Sequence, residues 1–243
     1  MDRPALMSAL RDDIDGFAAA CAAANLGDPV PGCPGWTTAD LLWHLTEVHK
    51  FWVPIVRDQL EDPAGYVGPQ RPTDDRLLAG FVVGAEELVS VLAVTDSATP
   101  VWTWSDDHTV GFVVRRLTHE TAVHRYDAEA AAHRTHAMEP LLASDGIDEF
   151  LGHFASRRRA AASPLGGSVH LHCTDVAGEW LVTDGDEGAL HTERLHAKGD
   201  CAIRGSGADL LLALWRRIPL GAEIEVLGDS ALAKRFVDHA YAD

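Results

Sequence analysis

Basic residues are scarce in this chain: 20 Lys and Arg stand against 37 Asp and Glu in 243 residues, a formal net charge of −17. A surface that acidic repels phosphate backbones and anionic lipid, which argues against nucleic acid or a membrane surface as partner. No apolar run approaches the ~20 residues of a membrane span, and no signal-like apolar segment follows Met1. Cysteine is sparse too. Cys21, Cys33, Cys173 and Cys201 are scattered, without a CxxC pair or a dense framework. That usage predicts reduced thiols in a cytoplasmic protein. Internal repeats are missing, and low complexity is confined to short alanine runs. What remains is 47% hydrophobic and 23% charged, the composition of a globular chain. Its length suits one large domain or two smaller ones.

The acidity is uneven. Residues 1–155 carry net −14 and residues 156–243 net −3. The change falls near Arg157-Arg158-Arg159 and the Gly- and Pro-containing stretch 163–167, which predicts a domain at 1–160 and another at 165–243. In the first, apolar residues recur at helical spacing. Leu6, Leu10, Ile14, Phe17 and Cys21 form one stripe, and Leu41, Leu45, Val48 and Trp52 a second that starts at Thr37 or Thr38. Leu77, Phe81, Val82, Ala85, Leu88 and Leu92 follow Thr73, and a fourth helix over about 111–133 turns Val113, Leu117 and Ala128 inward. Four such helices predict a bundle, with a shorter fifth, about 141–158, leading out of it. The second part alternates with period two. Strands are expected at 168–174, 179–183, 189–194, 201–204 and 223–227, with helices at 208–217 and 230–241. The fold class is α+β.

Two bundle helices carry polar residues where the apolar stripe should continue. His44 lies three after Leu41 and four before Val48, so it faces inward with them. Val113, Leu117, Glu120, His124 and Ala128 step by four, three, four and four, which puts Glu120 and His124 on the core face one turn apart. An unpaired buried carboxylate is unfavourable, so a cation is expected beside Glu120. A buried Glu–His or Glu–Arg pair would explain any one of these residues. Three of them on two helices form instead a three-ligand set with an open fourth position, the layout of a catalytic zinc. The adjacent His119-Glu120 does not make an HExxH motif. His119 and His124 are five apart, about 140° round the helix, and cannot share an ion. Asp127 follows His124 by three and could orient its imidazole, or pair with Arg125 or Arg116. By the same count His49, about 140° from His44, is expected to face solvent. His170 and His172 share a strand face that reads as an exposed sheet surface, with metal binding the alternative. Trp102 and Trp104 wall a pocket mouth or pack over the bundle end. Cys21 sits on a core stripe, and neither it nor Cys33 shows thiolate activation.

The segments PGWTTADLLWHLTEVHKFW (34–52) and RRLTHETAVHRYDAE (115–129), with Trp102-Thr103-Trp104 between them, resemble the mycothiol-dependent maleylpyruvate isomerase family. So do GSGADLLLALWRR (205–217) and VLGDSALAKRF (226–236). The resemblance implies a DinB-like metal-binding four-helix bundle and a small α+β C-terminal domain akin to sterol carrier protein folds. It also implies a divalent metal, Zn²⁺ first, on His44, Glu120 and His124, with mycothiol as the thiol cosubstrate. An arginine of the C-terminal domain would hold a carboxylate of substrate or thiol. Arg217 is the candidate, with Arg204 and Arg216 close behind. Where family members read Leu-Trp-Gly-Arg, this chain reads Leu-Trp-Arg-Arg at 214–217.

Three functions fit this reading. In the first, a thiol at the open metal position adds to an electrophilic small molecule, with isomerase or S-transferase outcome, in a monomer or weak homodimer. In the second, the metal activates water for hydrolysis, which needs a base, and Asp127 is the nearby carboxylate. The third is a non-enzymatic small-molecule-binding protein.

Overall fold

The structure, a computed structural model, describes residues 1–135, 137–157, 163–221 and 223–240. The chain divides into two compact units, Met1–His136 and Ala137–Asp243. Arg158 and Arg159 of the expected junction, and Tyr241 of the expected closing helix, lie outside the described residues.

The first unit is built on α1 (Arg3–Ala23), α2 (Thr38–Arg57), α3 (Asp74–Val94) and α4 (Val110–Ala131). Their starts follow from capping chemistry. Asp2 accepts from the Ala5 amide, Thr37 and Asp40 form a reciprocal capping box, and Thr109 accepts from the Phe112 amide. Helix α1 packs on α4 and α3, and α2 packs on α3 and α4. Leu10, Phe17, Leu41, Leu45, Phe81, Leu88 and Leu117 fill the space between them. Each of the two helices bearing the candidate ligands is entered through an isolated antiparallel bridge, Pro29 to Thr37 before α2 and Pro100 to Thr109 before α4.

Two readings of the helix faces are corrected. His49 is fully buried, against the expectation of solvent. Helix α2 is flanked by two helices, so its buried arc is wide enough to take in both the Leu41–Leu45 edge and the His49 edge. Val82 is exposed, because Phe81 and Ala85 define the buried line of α3 and Val82 lies to its side. By length and composition α3 is also the one helix among the described residues that could cross a membrane. Arg76, Glu86 and Glu87 break its apolar run without lowering its average much, and Leu77, Phe81, Leu88 and Leu92 are buried.

The second unit holds α5 (Pro140–Glu149), continued by a π-helical turn (Phe150–Ala155), and a mixed sheet. The strands are β1 (Val169–Cys173), β2 (Glu179–Asp184), β3 (Leu190–Glu193), β4 (Cys201–Gly205) and β5 (Glu225–Gly228), in the order β3-β2-β1-β4-β5. Strand β1 runs parallel to β4 and antiparallel to β2. Helices α6 (Gly207–Leu214) and α7 (Ser230–Ala240) complete it. Val169, Leu171, Cys173, Trp180, Val182, Cys201 and Ile203 are buried, as strand alternation requires of one sheet face. Helix α5 packs on α6, so it is part of this unit rather than an exit from the bundle. Helix α6 ends at Leu214, three residues short of the sequence expectation. There Arg216 takes a left-handed conformation (φ 56°) and the Arg217 amide donates back to the Leu212 carbonyl at 2.8 Å.

Candidate metal centre

Helices α2 and α4 bring His44, Glu120 and His124 together at the bundle's core edge. His44 Nε2 lies 3.2 Å and His124 Nε2 3.3 Å from Glu120 Oε1, and the two imidazole centroids are 4.9 Å apart. Ligands at Zn–N and Zn–O lengths of ~2.0–2.1 Å in a tetrahedron stand about 3.3 Å from one another. The two His–Glu separations suit a small divalent ion, and all three donor atoms lie within 4.8 Å of one another.

The surroundings prepare each donor. Arg116, one turn before Glu120, places Nη2 2.5 Å from Glu120 Oε2. It is the cation that a carboxylate on this face requires. Burial works against the charge on Glu120, yet Arg116 and the two imidazoles outweigh it and hold the carboxyl well below its usual range. Asp127 Oδ2 is 3.0 Å from His124 Nδ1 and is itself fully buried. That contact takes up one ring nitrogen and leaves Nε2 directed at Glu120. Burial disfavours the imidazolium of His124, but Asp127, Cys33 and Glu120 together raise its pKa well above the ordinary value. Protons and an incoming cation therefore compete for His124, so lowering the pH should weaken metal binding.

Two residues at the site carry no periodic signal in the sequence. Cys33 donates from Sγ to Asp127 Oδ2 at 3.4 Å. Trp36 covers the imidazoles, with ring centroids 4.9 Å from His44 and 6.4 Å from His124. Both belong to the loop that the Pro29–Thr37 bridge folds back beside α2. The sequence hint was the closeness of Trp36 to the Thr37 cap. Trp102 and Trp104 take the packing alternative. Trp102 rests on Phe51 and Trp52, and Trp104 meets Phe112 edge-on at 5.1 Å. His119 is buried and belongs to no ligand cluster among the described residues.

The profile of the mycothiol maleylpyruvate isomerase N-terminal domain matches residues 7–129, half of the chain. The chain belongs to that family. The family's C-terminal domain matches residues 142–235. Among solved structures, a mycothiol-dependent maleylpyruvate isomerase superposes with a TM-score of 0.64 at 13% identity, covering 88% of each chain. A variant of that enzyme with one histidine changed to alanine gives 0.62 at 11% identity, again over 88% of each. At such identities these two likenesses establish the fold. Comparison with curated proteins by sequence gives no match.

The arginines that the family points to lie in the second unit. Arg217, beyond the end of α6, donates from Nη1 to the Trp215 carbonyl at 2.9 Å. It lines a cavity of about 730 Å³ with Arg216, Ile218, Leu220, Ile224 and Lys234. Arg216 bonds the Asp238 carbonyl at 2.9 Å. Arg204 pairs with Glu225 across β4 and β5 at 3.1 Å on an exposed face. The structure does not bring Arg204 and Arg217 into one cluster.

Proposed function

We propose that this chain is a divalent-metal-dependent enzyme that activates a low-molecular-weight thiol, mycothiol, for addition to an electrophilic small molecule. The observation that carries the reading is the convergence of His44, Glu120 and His124 at ligand spacing in a chain of this family. Those three residues would hold the ion, Zn²⁺ first, because two imidazoles and one carboxylate with an open position are a catalytic donor set. When bound, such an ion lowers the pKa of a thiol from ~8.5 towards neutrality.

The chain's own groups do the rest. Asp127 keeps His124 in one tautomer, and Arg116 offsets the charge of Glu120. Trp36 lies against both imidazoles and walls one side of the site. Arg217 offers a planar fork for an anionic group of the thiol or the electrophile. Addition of a thiolate across a conjugated double bond permits rotation about that bond, and expulsion restores the thiol. Retention of the adduct makes the same first step an S-transfer. A water-activating hydrolase fits less well, because Asp127, its base candidate, is buried against His124. The four free cysteines suit a reducing cytoplasmic setting.

Metal analysis combined with thiol calorimetry tests this reading. His124→Ala is expected to lose one equivalent of metal relative to the unsubstituted protein and to lose mycothiol binding, while His119→Ala keeps both. Equal metal loss in the two variants, or glutathione binding as tightly as mycothiol, would overturn it.

A further inference from the structure

A second gathering of ligand-type side chains lies wholly in the C-terminal unit and shares no residue with the first. Strand alternation turns His170 and His172 of β1 to the same face. Antiparallel register sets Glu179 of β2 opposite His172. The connection between β3 and β4 returns over this face and adds His196. Glu179 is the hub: Oε1 lies 3.0 Å from His172 Nδ1, Oε2 lies 3.4 Å from His170 Nε2, and Oε2 also meets His196 Nδ1. The ring of His170 stands 5.8 Å from that of His172 and 5.4 Å from that of His196, centroid to centroid.

We propose that His170, His172, His196 and Glu179 form a second divalent-metal site, one that closes the β3–β4 connection onto the sheet. Three observations carry it. His170 is only 7% exposed, and its Nε2, aimed into the cluster, makes no well-aligned hydrogen bond, the Glu179 carboxylate standing 3.4 Å away. A buried ring nitrogen left without a good hydrogen bond is unfavourable, and metal ligation satisfies it. Three imidazoles and one carboxylate converge there, a donor set of metal-ligand type. Finally, Glu179 has one oxygen 3.0 Å from His172 and the other 3.4 Å from His170. All four donors lie within 4.8 Å of one another, so one ion can reach them once His196 draws back from its close contact with Glu179.

The donor set selects the ion. Imidazole-rich sites take Zn²⁺, Co²⁺, Ni²⁺ or Cu²⁺ rather than Mg²⁺ or Ca²⁺, which prefer all-oxygen shells. Four protein ligands leave no open position, so the role is structural. His196, 78% exposed on its loop, is the member whose ligation ties the connection to the sheet.

Zn²⁺ titration of the full chain by calorimetry, with metal content by mass spectrometry, tests the proposal. The unsubstituted protein is expected to bind one equivalent more than His196→Ala or His172→Gln. His196 is exposed and β1 is otherwise untouched, so neither variant threatens the fold. His124→Ala should lose a different equivalent, so His124→Ala/His196→Ala should bind none, and failure at one site is distinguishable from failure at the other. In the His124→Ala background Zn²⁺ should raise Tm, and this rise should vanish in the double variant. If His196→Ala and His172→Gln both keep the full stoichiometry, with affinity at each step within about tenfold, the site does not exist. Mg²⁺ competing as well as Zn²⁺ would also overturn it.

Discussion

His49 shows how a single side chain inside the bundle can report on burial. Its ring packs 5.4 Å from that of Phe81, its Nε2 lies 3.3 Å from Thr121 Oγ1, and its Nδ1 has no partner. Burial lowers its pKa from 6.5 to about 3; Glu120 pulls the other way, and His124 and His44 add to the lowering. A histidine depressed in the folded state stabilises the fold above its unfolded pKa, and that contribution is lost as pH falls through about 6.5 towards about 3. His49→Phe removes the titrating nitrogens and keeps the ring beside Phe81. Denaturant unfolding of the metal-free protein should then show a flatter loss of stability on acidification. The difference at the acid end has a ceiling of about 4–5 kcal/mol at ~1.4 kcal/mol per pKa unit. Parallel pH profiles for the two proteins would show that His49 is not buried as a neutral group.

At the scale of elements, two backbone positions decide how helices meet their neighbours. Gly16 lets Arg125 of α4 lie across α1. A Cβ at Gly16 would stand 2.2 Å from Arg125 Nε, and the guanidinium is held by Asp13 at 3.1 Å and Glu129 at 3.0 Å. Gly→Ala inside an exposed helix stabilises by up to about 1 kcal/mol. Here the sign should reverse, because displacing Arg125 leaves buried Asp13 without its cation. Gly16→Ala is expected to destabilise by about 3 kcal/mol, read by chemical denaturation, and any gain in stability would contradict the contact. In the second unit Arg216 sits at φ 56°, where the family's Leu-Trp-Gly-Arg would place glycine. Arg216→Ala and Arg216→Gly both lose the contacts to Asp238, but only glycine relieves the left-handed backbone. The glycine variant should be more stable than the alanine variant by about 1 kcal/mol.

At the scale of the whole molecule, the proposed function assigns each unit its own groups. The first gathers the candidate metal ligands, and the second offers Arg217 beside an apolar cavity. With residues 1–155 at net −14, an anionic substrate needs a local positive group in order to bind. Arg217→Ala should lower kcat/KM by the equivalent of about 1.5–3 kcal/mol, the range for a charged hydrogen bond, without changing metal content. Arg217→Lys should recover only part of that, since the fork is gone. Unaltered kcat/KM in Arg217→Ala would remove the residue from the site and turn attention to Arg204.

What the sequence determined by itself was carried by periodicity and local chemistry, outside the edges of the stripes where His49 and Val82 were misplaced. The apolar stripes of α1 to α4, the Thr37 start of α2 and the alternation of β1 are properties of neighbouring residues, so the elements and the facing of His44, Glu120 and His124 were legible. The expectation of a cation beside Glu120 was legible too, because desolvation of a carboxylate demands one and Arg116 lies one turn away. Tertiary structure alone decided the rest. His49 is buried because α2 is covered on two sides, which a single helical wheel cannot show. Cys33 and Trp36 reach the imidazoles through an irregular loop, where no period predicts direction. Helix α5 joined the second unit because its apolar face found α6. His196 met His170 and Glu179 because strand register, a long-range pairing, laid a distant connection over them. Spacing along the chain sets which way a residue faces. What it faces is set by packing between segments far apart in sequence.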